Sequence, residues 1–310
     1  MIQSLKLSFS YFTNSVISLL GIIVLTFCFM KLIPGDPFLE SKALDEHVHQ
    51  RLLDYHGLNG SLTEQLLTYL KNVSSFNLGT SLKYKDLTVI EIIVNNFPIS
   101  AQLGGMAFLA SMINGIFLGT LSAYHYKKKG DQVFFFSSTL ALSLPTFFIG
   151  TFLQYYLSFK WHIFPIGRWG SISHAILPIL TLSIIPSMQI AKLVRVQVLQ
   201  IFQKNYYISE KLKGLPPISI YKNCIFKNSL LPLFPFFGQL GANLLTGSFI
   251  VEKIFAIPGL GFWYVQSIGN RDYPVIMGLT IFYSTLLLGF ILLSEVLQRL
   301  LNPLANTKIS

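Results

Sequence analysis

The sequence predicts an all-α, polytopic membrane protein with six transmembrane helices and both termini in the cytosol. Three observations predict it. Of 310 residues, 52% are hydrophobic and only 12% charged, against about 25% charged in a soluble chain. That is too little charge to wet the outside of a folded protein this large. The apolar residues gather into six charge-free intervals, each able to supply the ~20 residues that a helix needs to cross a bilayer. The net charge of +10 collects on the side that an even number of crossings assigns to both termini, as cationic loops orient membrane helices. The composition excludes most soluble enzymes and disordered chains, and the basic excess needs no nucleic acid to explain it.

The first interval, Leu7 to Met30, lies between Lys6 and Lys31. It exceeds the apolar core of a signal peptide and has no small-x-small cleavage site, so it reads as a retained helix. The others are Ile92 to Tyr126, Gln132 to Phe159, Trp169 to Ala191, Asn228 to Val251 and Tyr273 to Ser294. Acids bound several of them, Glu252 closing the fifth and Asp272 preceding the sixth. With both termini inside, the cytosolic side holds Lys127, Lys128, Lys129 and seven basic residues between Lys192 and Lys227. The short outer loops hold only Lys160, Arg168, Lys253 and Arg271. The chain divides into a first helix with its leading segment (1–33), an extracytoplasmic loop (34–91) and a five-helix core (92–310) that carries a cytoplasmic loop at 192–227.

The outer loop has local structure of its own. Ser61 with Glu64, and Thr88 with Glu91, each form a capping-box pattern. Leu62, Leu66, Leu67 and Leu70 share one helical face, which predicts short helices at the membrane surface. His47, His49 and His56 read as solvated histidines, with no spacing that resembles a metal site. Cys28 and Cys224 read as small apolar residues, since they form neither a disulfide framework nor a metal-ligand pattern.

Within the spans, Ala107, Ser111, Gly115, Gly119 and Ala123 recur every fourth residue, the spacing that lets membrane helices approach closely. Gln239 and Asn243 sit four apart in the fifth span, and read either as buried interhelical hydrogen bonds or as the lining of a polar translocation pathway. Pro178 and Pro186 predict a bent or locally unwound fourth span. No acid lies mid-span, and Glu295 sits near an inner end, which argues against a proton relay or an ion pump.

The cytoplasmic loop is the most informative stretch. Lys204 to Lys213 can form a short helix that Gly214 ends in the left-handed conformation. Pro216 or Pro217 then suits the first turn of a second helix. A helix-Gly-helix elbow of this kind is a docking element. Asn205 to Leu215 (NYYISEKLKGL) followed by Lys227 to Pro232 (KNSLLP) resembles the cytoplasmic signature of ABC-importer permeases, down to the eighteen-residue spacing from Gly214 to Pro232. The resemblance to the peptide/nickel branch of that family covers nearly the whole chain. PGDP (Pro34 to Pro37) follows the first span, and NLGTSL (Asn77 to Leu82) occupies the outer loop. SLPTFFIG (Ser143 to Gly150), FPIGRWG (Phe164 to Gly170), HAILP (His174 to Pro178), VEKIFAIPGLG (Val251 to Gly261) and RDYPVI (Arg271 to Ile276) follow in order. The sequence departs from the family pattern at Glu210, usually a small residue, and at Cys224, usually histidine. It departs again at Pro216 and Pro217, and at the closing Asn302, Pro303 and Leu304.

The resemblance implies a type I ABC-importer permease fold in a bacterial inner membrane, and a subunit that forms half of a pathway for oligopeptides or dipeptides. It implies cytoplasmic ABC ATPases gripping Ser209, Glu210, Lys211, Gly214, Leu215 and Pro216. A second homologous permease would complete the pathway, and an extracytoplasmic solute-binding protein would deliver the cargo. Nickel or another chelated metal is the alternative cargo within the family. The chain itself lacks the G-x-x-x-x-G-K-[ST] loop that cradles ATP phosphates, and no cofactor is implied. A polytopic enzyme or a self-contained channel is the reading from another class. The first would need a reactive constellation at membrane depth and the second a ring-forming filter, and the residues offer only scattered amides.

Overall fold

The computed structural model describes residues 2–32, 60–245 and 249–301. The PGDP segment, the three loop histidines and the closing Asn302-Pro303-Leu304 lie outside the described residues. The described chain is helical, with one isolated bridge between Thr80 and Thr88. Five helices are long and apolar enough to cross a membrane: Thr13–Leu32 within the helix Ile2–Leu32, Val89–Tyr124, Ile172–Ile201, Ile218–Ile254 (with 246–248 outside the described residues) and Tyr273–Leu297. They are the first, second, fourth, fifth and sixth spans.

The third passage is a broken one. Lys129–Ser143 and Thr146–Lys160 meet at 102°, where the sequence suggested one continuous span. The break follows from Pro145. A proline pushes the residue before it out of the helical region, and Leu144 is extended (φ −93°, ψ 134°). The Pro145 carbonyl then starts the second piece by accepting the N–H groups of Phe148 and Ile149. The fourth span is not unwound at its prolines. Pro178 and Pro186 are both buried inside one unbroken helix, Ile172–Ile201, where packing from neighbouring helices tolerates the missing N–H groups.

The second and fourth spans form the centre of the bundle. Ala107, Ser111, Gly115, Gly119 and Ala123 are all buried, and they face the fourth span at backbone distance. A Cβ on Gly115 would lie 2.6 Å from the Cβ of Ile190, and one on Gly119 2.5 Å from the Ala191 carbonyl oxygen. Without a hydrophobic drive between helices in lipid, this close approach is what holds them. The fifth span packs on the second and the sixth through glycines. Gly104 lies against the backbone of Leu244 and Leu245, and Gly238 against Ser294. The first span leans on the sixth.

Both capping boxes form at the outer surface. Ser61 and Thr88 each accept the N–H of the glutamate three residues on, and each glutamate accepts an N–H in return. The helix Leu62–Ser74 that follows Ser61 buries none of its residues, consistent with a surface element.

Candidate functional site

The stretch between the fourth and fifth spans folds as an elbow. A short helix, Asn205–Leu212, is capped by Lys213, and Gly214 follows at φ +74°. A Cβ on Gly214 would meet nothing within 4 Å, so the backbone conformation, and not a shortage of space, calls for glycine here. The Pro216 carbonyl accepts the N–H groups of Ser219 (2.9 Å) and Ile220 (3.2 Å), and Pro217 opens the second short helix, Pro217–Ile220. The chain re-enters the bundle through a π-helical turn, Tyr221–Phe226.

All six candidate coupling residues (Ser209, Glu210, Lys211, Gly214, Leu215 and Pro216) lie on this elbow, and among them only Glu210 and Leu215 are partly covered. The Lys213 Nζ donates to Glu210 Oε1 at 2.8 Å, and this bond raises the lysine above its ordinary pKa. Glu210, unusual at its position, thus turns its charge back onto the elbow. Cys224, which stands where the resembling family has histidine, is buried in the π-helical turn beside Ile225. Leu212 and Ile218 are 82% and 72% exposed.

The inner ends of three spans are tied together next to the elbow. Arg195 donates from Nε to Asp131 Oδ1 and from Nη2 to Oδ2, both at 2.8 Å. Ser122 Oγ adds a bond of 2.7 Å to Oδ1, and the Lys127 N–H one of 3.2 Å to Oδ2. The guanidinium also lies 5.3 Å from the Tyr126 ring centroid. The fork geometry of arginine suits this bidentate grip. In the sequence, Arg195 is one of the seven basic residues between Lys192 and Lys227, and Asp131 directly precedes the third charge-free interval. The available signal was an acid standing alone at the start of a span on the strongly basic side.

The outer ends are assembled from the motifs noted in sequence. Asp272 of RDYPVI accepts from Ser81 Oγ and from the Leu82 N–H (3.1 Å) of NLGTSL. Glu252 accepts from Ser100 Oγ (2.9 Å) in the second span. It also accepts the Gly261 and Phe262 N–H groups at 2.8 and 3.3 Å, capping the helix Leu260–Asn270. The carboxylate occupies the space that a Cβ on Gly261 would need, at 2.8 Å from Oε2, which accounts for that glycine of PGLG. FPIGRWG joins through the Arg168 N–H to the Phe255 carbonyl at 2.7 Å. Gln154 bridges the carbonyls of Ile166 and Ile254. Glu252 and Asp272 are 0% and 1% exposed, so the acids read from sequence as span boundaries are buried structural acceptors.

Gln239 and Asn243 lie with Pro232 and Pro235 along an exposed face of the fifth span. Both are exposed, so neither is the buried amide that the sequence suggested.

The family model described as "binding-protein-dependent transport system inner membrane component" matches residues 115–306. The chain is 37% identical over 286 residues to a dipeptide transport system permease protein of Bacillus subtilis (strain 168), covering 92% of this chain and 93% of that one. It is 36% identical over 287 residues to the protein of the same description from Lactococcus lactis subsp. cremoris (strain MG1363), covering 93% and 94%. It is 30% identical over 284 residues to an oligopeptide transport system permease protein of Escherichia coli (strain K12), covering 91% and 93%.

Proposed function

Since this chain belongs to the family of binding-protein-dependent transport system inner membrane components, we propose that it is half of an inward pathway for dipeptides or oligopeptides, driven through the elbow around Gly214. It is a multi-pass inner-membrane permease subunit and not an enzyme, and family membership brings an ATPase on a separate subunit and a binding protein. The peptide cargo is carried over from the relatives' names.

The elbow carries the reading. It stands between the fourth and fifth spans, holds a left-handed glycine between two short helices, and exposes Leu212 and Ile218 among lysines. An ATPase gripping Ser209, Glu210, Lys211, Gly214, Leu215 and Pro216 can push on the bundle at this point. Closure of two ATPases on nucleotide then rocks the spans as rigid bodies between inward- and outward-facing arrangements. A second, homologous permease faces this chain and covers Gln239 and Asn243, whose neutral amides line the pathway between the two. The loop 34–91 meets the binding protein outside, and the core 92–310 with its loop at 192–227 works inside, with both termini in the cytosol.

The test is reconstitution. The chain in vesicles with its ATPase, second permease and binding protein takes up a labelled dipeptide in an ATP-dependent manner, and the chain alone is idle. A Lys211→Cys variant reacts with a membrane-impermeant maleimide from the cytosolic side only. Robust dipeptide flux from the chain alone, or labelling of that cysteine from outside, overturns the reading.

A further inference from the structure

The elbow must move the spans, yet it has little grip on them. The helix Asn205–Leu212 has no buried residue, and six of its eight side chains are exposed, leaving only Tyr207 and Glu210 partly covered. Glu210 is engaged with Lys213 inside the elbow. Tyr207, the half-buried ring of this helix, packs against the hydrophobic core. Its ring lies 4.9 Å, centroid to centroid, from Phe202, the residue that caps the fourth span. Phe202 in turn lies 5.3 Å from Tyr124, the last residue of the second span. Two steps therefore lead from the elbow helix to the inner ends of the two spans that form the centre of the bundle. The Asp131–Arg195 pair, with Arg195 over Tyr126, extends the same tie to the start of the third.

The geometry points to Tyr207, Phe202 and Tyr124 as an aromatic strap that transmits movement of the docked elbow to the inner mouth of the second and fourth spans. Tyr207 is its positioning residue. The inference rests on the reading of the elbow as the ATPase dock. Aside from the chain itself at 202–204 and 213–220, the half-buried ring of Tyr207 is a side-chain contact through which displacement of this helix reaches the bundle. Rings at these separations hold preferred relative orientations beyond simple area burial, so a rotation of one is resisted by the next. Tyr207 points inward and leaves the outward face of the helix to the partner. Docking and transmission are thus carried by different side chains, and each can be removed without the other.

The experiment uses the assembled transporter in proteoliposomes, with labelled dialanine as the probe. It compares Tyr207→Ala, Tyr207→Phe and Tyr124→Ala for ATPase retention, ATP hydrolysis and uptake per ATP hydrolysed. In Tyr207→Ala the ATPase stays bound and hydrolyses ATP, while uptake per ATP falls on the order of tenfold, a typical allosteric coupling factor. Tyr207→Phe, which keeps the ring, restores coupling. Tyr124→Ala cuts the strap at its far end without touching the elbow, and shows the same loss. Unchanged uptake per ATP in Tyr207→Ala or in Tyr124→Ala overturns the strap. So does loss of the ATPase from Tyr207→Ala, which would make that tyrosine part of the dock. Failure of the unmodified chain to retain an ATPase overturns the docking reading itself, and the strap with it.

Discussion

Replacing Gly214 by valine isolates what the elbow's shape contributes. The residue sits at φ +74° with nothing within 4 Å of a prospective Cβ, so the added Cβ itself meets no neighbour. Its cost is conformational: a left-handed backbone costs an L-residue roughly 1–2 kcal/mol, and β-branched residues fit that region worst. The population holding the present elbow shape therefore falls by roughly 5- to 30-fold, and affinity for a partner that needs this shape falls by the same factor. Gly214→Asn is the control, because asparagine tolerates the left-handed region. With ATPase titrated onto the permease in nanodiscs, Gly214→Val shows a weakened dissociation constant by about that factor and a matching loss of uptake. Its thermal unfolding is unchanged, and Gly214→Asn sits close to wild type. Wild-type ATPase affinity and uptake in Gly214→Val would refute the reasoning. If Gly214→Asn fails as badly as Gly214→Val while its elbow stays folded, glycine is needed for close approach of the partner and not for φ.

Three further outcomes follow from the packing. A double-mutant cycle on Asp131→Asn and Arg195→Gln gives a coupling energy on the order of 1–3 kcal/mol in thermal unfolding, because the pair shares two charge-assisted bonds of 2.8 Å; simple additivity would count against the clamp. Glu252→Ala leaves the Ser100 hydroxyl and the N–H groups of Gly261 and Phe262 without their carboxylate, at about 1–3 kcal/mol for each stranded donor. Amide exchange across 260–270 therefore accelerates, and unchanged protection there would sink the capping role. Gly119→Leu forces the second and fourth spans apart against Ala191 and Val194, and overpacking of this kind costs about 1–3 kcal/mol or more. It should lower the melting temperature of the purified protein, and an unshifted melting curve would mean that the helices can slide.

What was legible in the sequence is what a bilayer or a local turn imposes along one dimension. The spans followed from charge-free runs, because lipid demands continuous apolarity over a fixed length. The elbow followed from Gly214 and the adjacent prolines, whose preferences are set within a few residues. Pro145 carried the signal for the broken third passage, but only the extended conformation it imposes on Leu144 makes the break visible. Glu252 and Asp272 do stand at the ends of their spans, but their burial was not legible, because a charge normally marks water. Here each is satisfied by donors brought in from other elements, Ser100 for the first and Ser81 with Leu82 for the second. The Asp131–Arg195 pair was hidden for the same reason, its members being 64 residues apart with no periodicity between them. Gln239 and Asn243 were placed in the right helix, yet which way they face depends on where Gly238 and Gly241 dock, a tertiary fact.

The bond between Leu82 and Asp272 spans 190 positions, and that distance sets a timetable for biogenesis. At ribosomal speeds of about 5–20 residues per second, the segment around Ser81 waits roughly 10 to 40 s for its latch to be synthesised. During that interval Ser81 and Leu82 lack the acceptor that holds them in the finished protein. Only when Asp272 has been made can that latch form, so a ribosome that stalls before it leaves Ser81 and Leu82 without this acceptor.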